Sequence, residues 1–347
     1  MTTAGDTMDL ALSPEEEELV EALDGLLARE SSMSRVRAAE PLGFDPGLWT
    51  ALQRMGVPAL AVGPEAATTV QLVLIAEVAG RHLACAPVIE SLVAARLLER
   101  CGGPGAAELL DGCSAGRIAT LVLHHPHEGR ADLVPAGAVA ETLLACDGET
   151  LTAYEAPAPM AAAPNIGSLA LADRHLDPAA GRPLAHGEPA RAAFGLALRE
   201  WRLLTAAQLV GLAARALEIA VAYVKERTVF GRPVGSFQTV AAALADHATA
   251  IDGARLLVRE AAWACDVRDP RAVSLPSMAF CYAAERAVAV AGDALHFHGG
   301  YGFTTEYDVQ LYYRRAQAHP LVWGSVRREY RDLAGLLFGP EPARGPA

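Results

Sequence analysis

Apolar positions open the chain at helical spacing. Leu19, Val20, Leu23, Leu26 and Leu27 recur three and four residues apart behind Ser13-Pro14-Glu15-Glu16, a capping box with Pro at the first helical position. Asp45-Pro46 starts a second such run, with Leu48, Trp49 and Leu52 on it and Gly56 ending it. Val70–Gly80 and Pro87–Glu99 predict two more helices. The texture changes after Gly103-Pro104-Gly105. Ile118–His125 is a compact apolar run rich in branched residues, as a strand should be. Thr142–Cys146, Thr150–Tyr154 and Ser168–Ala172 are shorter strand candidates, punctuated by Gly148, Pro157, Pro159, Pro164 and Gly167. From about Pro189 the helical period returns. Phe237, Val240, Leu244, Ala248, Ile251 and Val258 share one face, Arg271–Phe297 forms another long helix, and Arg327–Leu337 a short last one. The pattern divides the chain into a helical region 1–112, a small β-rich region 113–186, a helical bundle 187–338 and a Pro/Gly tail, 339–347, expected to be unstructured.

Composition narrows the class. At 347 residues and 52% apolar, the chain needs no disulfide or metal staple. The net charge of −12, with no Lys/Arg run, argues against a nucleic-acid partner. The most apolar segments carry Glu, Gly or Pro, so no membrane span is expected. The start, Met-Thr-Thr-Ala-Gly-Asp, lacks the features of a signal peptide. Six cysteines without a CxxC pair or zinc spacing read as free thiols in a reducing cytoplasm. His124, His125, His127 and Glu128 cluster, but in one loop with no distant partner at a recognised spacing, so no metal is expected.

Two strings carry chemistry. Glu226–Gln238 (ERTVFGRPVGSFQ) joins two long helices and presents Arg227, Phe230 and Gln238 together. Such a set can hold a phosphate and a nucleobase; it can equally be a plain turn with a solvated Arg. His296–Tyr307 (HFHGGYGFTTEY) contains three close glycines that let a backbone approach a ligand or another chain. It lacks the GxGxxG spacing of a dinucleotide-binding turn.

Together, in this order and at this separation, the strings resemble the acyl-CoA dehydrogenase family, strongly from Arg202 to Tyr330 and more loosely before residue 110. The resemblance implies an N-terminal helical domain, a reduced middle β-domain and a C-terminal four-helix bundle. It implies FAD shared across a subunit interface, with Arg227, Phe230, Gln238, His296, Gly299 and Gly300 reaching the pyrophosphate and adenine end of a neighbour's flavin. His296 stands where the family usually has Gln. The implied reaction removes the α-proton of an acyl thioester with a Glu base while hydride leaves the β-carbon. Both places where the family puts that Glu hold Trp here, Trp201 and Trp323. Arg202, the Arg beside the first of them, is the expected substrate contact. Glu200, one residue away, is the remaining candidate base, yet a one-residue step turns a helical side chain by about 100°. The family's flavin-cradling hairpin after Ile118–His125 reads as deleted.

These departures leave three readings open. The chain is a short, degenerate subunit of an actinobacterial-type heteromeric acyl-CoA dehydrogenase, working with a full-length partner, an acyl-CoA or other acyl thioester, and an electron-transfer acceptor. It is a self-sufficient enzyme with a relocated base. Or it keeps the fold without flavin, binding a thioester or serving specialised metabolism.

Overall fold

The computed structural model describes Met8 and residues 11–339, so most of the tail lies outside the described residues. The fold is mainly α with small sheets. The first region holds α1 (Pro14–Glu30), α2 (Met33–Ala39), α3 (Pro46–Met55), α4 (Thr69–Arg81), α5 (Val88–Cys101) and α6 (Gly103–Ser114). Local chemistry sets several of these ends. Ser13 Oγ accepts from the Glu16 amide at 3.2 Å, and Glu16 returns a carboxylate to the Ser13 amide at 2.9 Å. Asp45 Oδ1 accepts from the Gly47 and Leu48 amides, and Gly56 ends α3 at φ 85°. A second capping box, Thr68 with Gln71, starts α4 one residue before the apolar run. The Gly103-Pro104-Gly105 string, a break by texture, is the first turn of α6, where Pro is tolerated.

The middle region contains β1 (Ala119–Leu121), β2 (Arg130–Val134), β3 (Thr142–Cys146), β4 (Thr150–Glu155), β5 (Ala172–His175) and β6 (Arg182–His186). One sheet runs β1-β3-β4-β6, parallel only between β1 and β3, and β2 pairs with β5 separately. Three expectations shift here. The Ile118–His125 run forms a strand only over 119–121. Of Ser168–Ala172 only Ala172 is in a strand. The polar strands β2 and β6 lack the apolar signature, and β6 is an edge strand carrying Pro183.

The third region opens with α7 (Glu188–Glu226), a 39-residue helix. A two-stranded hairpin, β7 (Thr228–Val229) and β8 (Arg232–Pro233), follows. Then come α8 (Gln238–Asp266), α9 (Leu275–Phe297), α10 (Val309–Trp323) and α11 (Val326–Phe338). An 18-residue window of α7 reaches a mean hydropathy of 1.5, enough by composition for a membrane span, which the sequence reading did not expect. It is the central core helix, with 61% of that window buried. One cluster of buried side chains runs from Leu23 to Ala316, through all three regions. The backbones of α4 and α7 touch where they cross. A Cβ on Gly80 would lie 1.9 Å from the Gln208 carbonyl oxygen, and one on Gly211 1.8 Å from that of Glu77. That crossing fixes the rotation of α7. On α8, Ile251 and Val258 are buried as its apolar face predicts, but Ala248 is exposed and Leu244 only half covered. The N-terminal half of this helix is left partly open.

Candidate functional site

Because α7 is pinned at Gly211, Trp201, Thr205, Gln208 and Leu212 fall on one helical face. They line a cavity between the three regions, with about 80 Å³ of free volume. Leu83–Glu90, the link from α4 and the first turn of α5, forms a second wall, and Ser168–Leu171 a third. Arg315, His319 and Val322, at i, i+4 and i+7 on α10, close it.

Trp201, on the cavity wall, meets Trp323, 122 residues later in sequence and the other position where the resemblance implies a base. Trp201 and Trp323 stack with ring centroids 6.0 Å apart and planes 27° from parallel. Trp323 Nε1 donates to the Glu329 carboxylate at 2.7 Å, and His124 lies 6.3 Å from the Trp323 ring. His124 also hydrogen-bonds the Val322 carbonyl at 3.0 Å. The loop after β1 is thereby tied to the end of α10. Indole is no base near neutral pH, so neither position abstracts a proton.

Arg202 does not reach the cavity. It pairs with the buried Glu329, and its guanidinium lies over the Trp323 ring, 4.7 Å from the centroid. Glu200 faces away as well. It lies twelve residues into α7, is 7% exposed, and is held by Arg96 (3.1 Å) and Arg100 (2.7 Å). The carboxylate is buried and its two arginines are partly exposed, a structural ion cluster, so the candidate base Glu200 does not face the cavity. Its neighbours Thr69, Leu72, Val93 and Leu204 form a dry pocket separate from the cavity.

Sequence reasoning missed the groups that do face the cavity: Glu90, Cys85, Arg315 and His319. Glu90 accepts a long hydrogen bond from Trp201 Nε1 at 3.4 Å. Burial pushes its carboxyl above the ordinary value of 4.5, against the weaker lowering by Trp201. His319 is pushed down to about 3 by burial and by Arg315, so its imidazole is neutral. Because the folded state holds the Glu90 proton more tightly than the unfolded chain, stability falls as pH rises through and above about 4.5. Glu90→Gln should therefore raise the melting temperature at pH 7 and leave it unchanged at pH 4, checked by thermal denaturation at both. A variant no more stable at pH 7 than the native chain would reject a buried, costly carboxylate.

The two sequence strings lie on another surface, and the fold brings them together. Tyr223, one turn before Arg227, stacks on His298 at 4.1 Å, and His298 immediately precedes Gly299. Between β7 and β8 the two turn residues, Phe230 (φ 53°) and Gly231 (φ 77°), are both left-handed, the geometry of a tight hairpin turn. The turn holds the Phe230 ring 92% exposed at its tip. Non-Gly residues adopt this φ at a cost of about 1 kcal/mol. Arg227 and Gln238 are exposed and have no side-chain partner among the described residues. His296, Gly299 and Gly300 are exposed too. Among the described residues no group of three or more His, Cys, Asp or Glu is placed to hold a metal. All six cysteines are free thiols, Cys101 and Cys265 partly exposed.

The acyl-CoA dehydrogenase C-terminal domain matches residues 192–332. Over its length the chain is similar to acyl-CoA dehydrogenase IpdE2 of Mycolicibacterium smegmatis, 30% identical across 334 residues, 94% of this chain and 100% of that protein. The solved ChsE4-ChsE5 complex from Mycobacterium tuberculosis superposes with a TM-score of 0.84 at 25% identity, over 96% of this chain and 100% of the other. A steroid ACAD, the Tcur3481-Tcur3483 G363A variant, superposes with a TM-score of 0.82 at 27% identity, over 93% and 97%.

Proposed function

The chain belongs to the acyl-CoA dehydrogenase family, and from that premise we propose that it is the half-site subunit of a heteromeric, FAD-dependent acyl-CoA dehydrogenase. The family acts on acyl-CoA by oxidoreduction, and flavin supplies the hydride acceptor when bound. The observation that carries the proposal is the stacked pair Trp201 and Trp323, the two residues that the resemblance places where a Glu base is expected.

The residues present fit one end of FAD and not the other. Arg227, Phe230 and Gln238 stand exposed, the Arg227 and Gln238 side chains without a partner among the described residues, on and just after a preformed hairpin, beside the Gly299-Gly300 loop. Arg227 can pair with a pyrophosphate, and the Phe230 face can pack against an adenine. A partner's flavin is reached this way without reorganising the loop. At the ring end, His124 bonded to the Val322 carbonyl and the stacked indoles occupy the junction of the middle region and the bundle. The partly open face of α8 is consistent with cover by a second subunit. Two solved relatives are described as two-protein assemblies, ChsE4-ChsE5 and Tcur3481-Tcur3483. In this reading the partner supplies the ring site and the Glu base, the acyl thioester and an electron acceptor complete the reaction, and the complex works in the cytoplasm.

A visible spectrum tests the proposal. Purified alone the chain is expected to be colourless; co-expressed with a full-length homologue it is expected to yield a yellow complex with flavin bands. A colourless homodimer that ignores such partners would overturn it. A yellow chain that oxidises acyl-CoA alone would favour the self-sufficient reading, and Glu90, the carboxylate lining the cavity, would then be the base to replace.

A further inference from the structure

Arg315 carries a charge that the fold does not answer. It is 4% exposed and lines the cavity. Its Nε donates to the Gly167 carbonyl and its Nη2 to Cys85 Sγ, both at 3.3 Å, but Nη1 is buried with no partner. Arg315 makes no ion pair among the described residues, while its neighbour Arg314 is matched by Glu40 and Gln310.

The rest of the fold shows how unusual this is. Arg174 is also buried without a carboxylate, yet four carbonyls, of Gly137, Ala140, Ala156 and Pro157, receive its guanidinium. Arg96 and Arg100 share Glu200, and Arg202 has Glu329. A water in the cavity could accept from Arg315 Nη1, but it would leave the positive charge desolvated. Of the carboxylates around it, Glu40 and Asp45 are matched by Arg314 and Arg35, and Glu90, on the same cavity, makes no ion pair with Arg315 among the described residues. The remaining polar neighbours supply no countercharge. Cys85 is held as a thiol by burial, and His319 is neutral. The cavity walls are otherwise largely apolar, with Phe44, Leu83, Ile89 and Leu212.

We propose that this cavity receives an acyl group whose far end bears a carboxylate, and that Arg315 Nη1 is its counter-ion. The apolar walls fit the methylene chain, and the guanidinium fits the terminal anion. Arg315 is then a specificity-determining residue, selecting ω-carboxyacyl thioesters over neutral ones of the same length. The inference goes beyond the half-site proposal, in which the partner supplies the ring site and the base, and adds a thioester reading of this chain's own cavity.

Calorimetric titration of the full chain, alone and in its complex, compares glutaryl-CoA with pentanoyl-CoA, which has the same carbon count and no terminal charge. Free glutarate is the third probe. Glutaryl-CoA is expected to bind on the order of tenfold tighter or more, as one charge-assisted hydrogen bond provides. Arg315→Gln is expected to erase that preference and leave pentanoyl-CoA binding unchanged. Arg315→Leu, which removes the unanswered charge, is expected to raise the melting temperature of the free chain, guarding against a variant that fails to fold. Equal binding of the two thioesters would overturn the inference while leaving the thioester reading intact. Binding of glutarate that depends on Arg315, with neither thioester bound, would keep the anion site and reject the thioester reading. Binding of none of the three would overturn both.

Discussion

Arg227→Glu is expected to strip the co-purified complex of its flavin. The native guanidinium has no partner among the described residues, so none of them competes for it when a pyrophosphate arrives. A hydrogen bond to a charged group contributes about 1.5–3 kcal/mol. Reversal of the charge adds repulsion to that loss, so FAD affinity should fall by about 100-fold or more. Phe230→Ala removes only a stacking face and should cost less, on the order of tenfold. Both side chains are exposed, so folding stability should change by no more than about 0.5 kcal/mol. The ratio of flavin to protein absorbance after gel filtration reads the effect. Full flavin content in the Arg227→Glu complex would detach this loop from the cofactor. Persistence of the complex in the variant would separate subunit docking from nucleotide holding.

Glu200→Gln should act on folding instead of chemistry. The carboxylate is shared by Arg96 and Arg100 and is nearly fully buried, so neutralising it leaves two guanidinia facing each other. Arg96 and Arg100 keep part of their solvent, so the loss is about 1–3 kcal/mol, still a sizeable part of the roughly 5–15 kcal/mol that holds a domain together. The melting temperature should drop by several degrees. Turnover per folded complex, with electron transfer to an external acceptor, should be unchanged. A stable Glu200→Gln protein whose turnover collapses would restore Glu200 as a base and overturn the structural role.

The separation between Glu200 and Trp201 explains why the sequence could raise the first as a candidate and not discharge it. They are adjacent, yet one belongs to a three-residue ion cluster and the other to the cavity wall. Helical geometry gives the rotation between them; the contact of α4 and α7 at Gly80 and Gly211 decides which of the two faces inward. Arg202 shows the same limit. Its residue type suggested a substrate contact, but Glu329, 127 residues later, takes its charge. Cavity groups such as Arg315 and Glu90 give no local signal. Their roles come from what is missing around them, and a missing partner is a property of three-dimensional neighbours.

The sequence by itself determined the helix starts at Ser13 and Asp45, the helical spacing of the apolar positions, the order of helical, β-rich and helical regions, the two motif strings and, through them, the family. Those features depend on residues within a turn or two of each other, where capping, periodicity and glycine freedom act. It also placed indoles at the two positions where the resemblance implies a base. The tertiary structure alone decided that those indoles stack, that the hairpin of Phe230 stands exposed beside Gly299, that Glu200 is spent on two arginines, and that the buried Arg315 has neither an anion nor a partner for Nη1 among the described residues. Each depends on charges and faces supplied by segments distant in the chain, and burial sets the worth of a charge only once those segments have met.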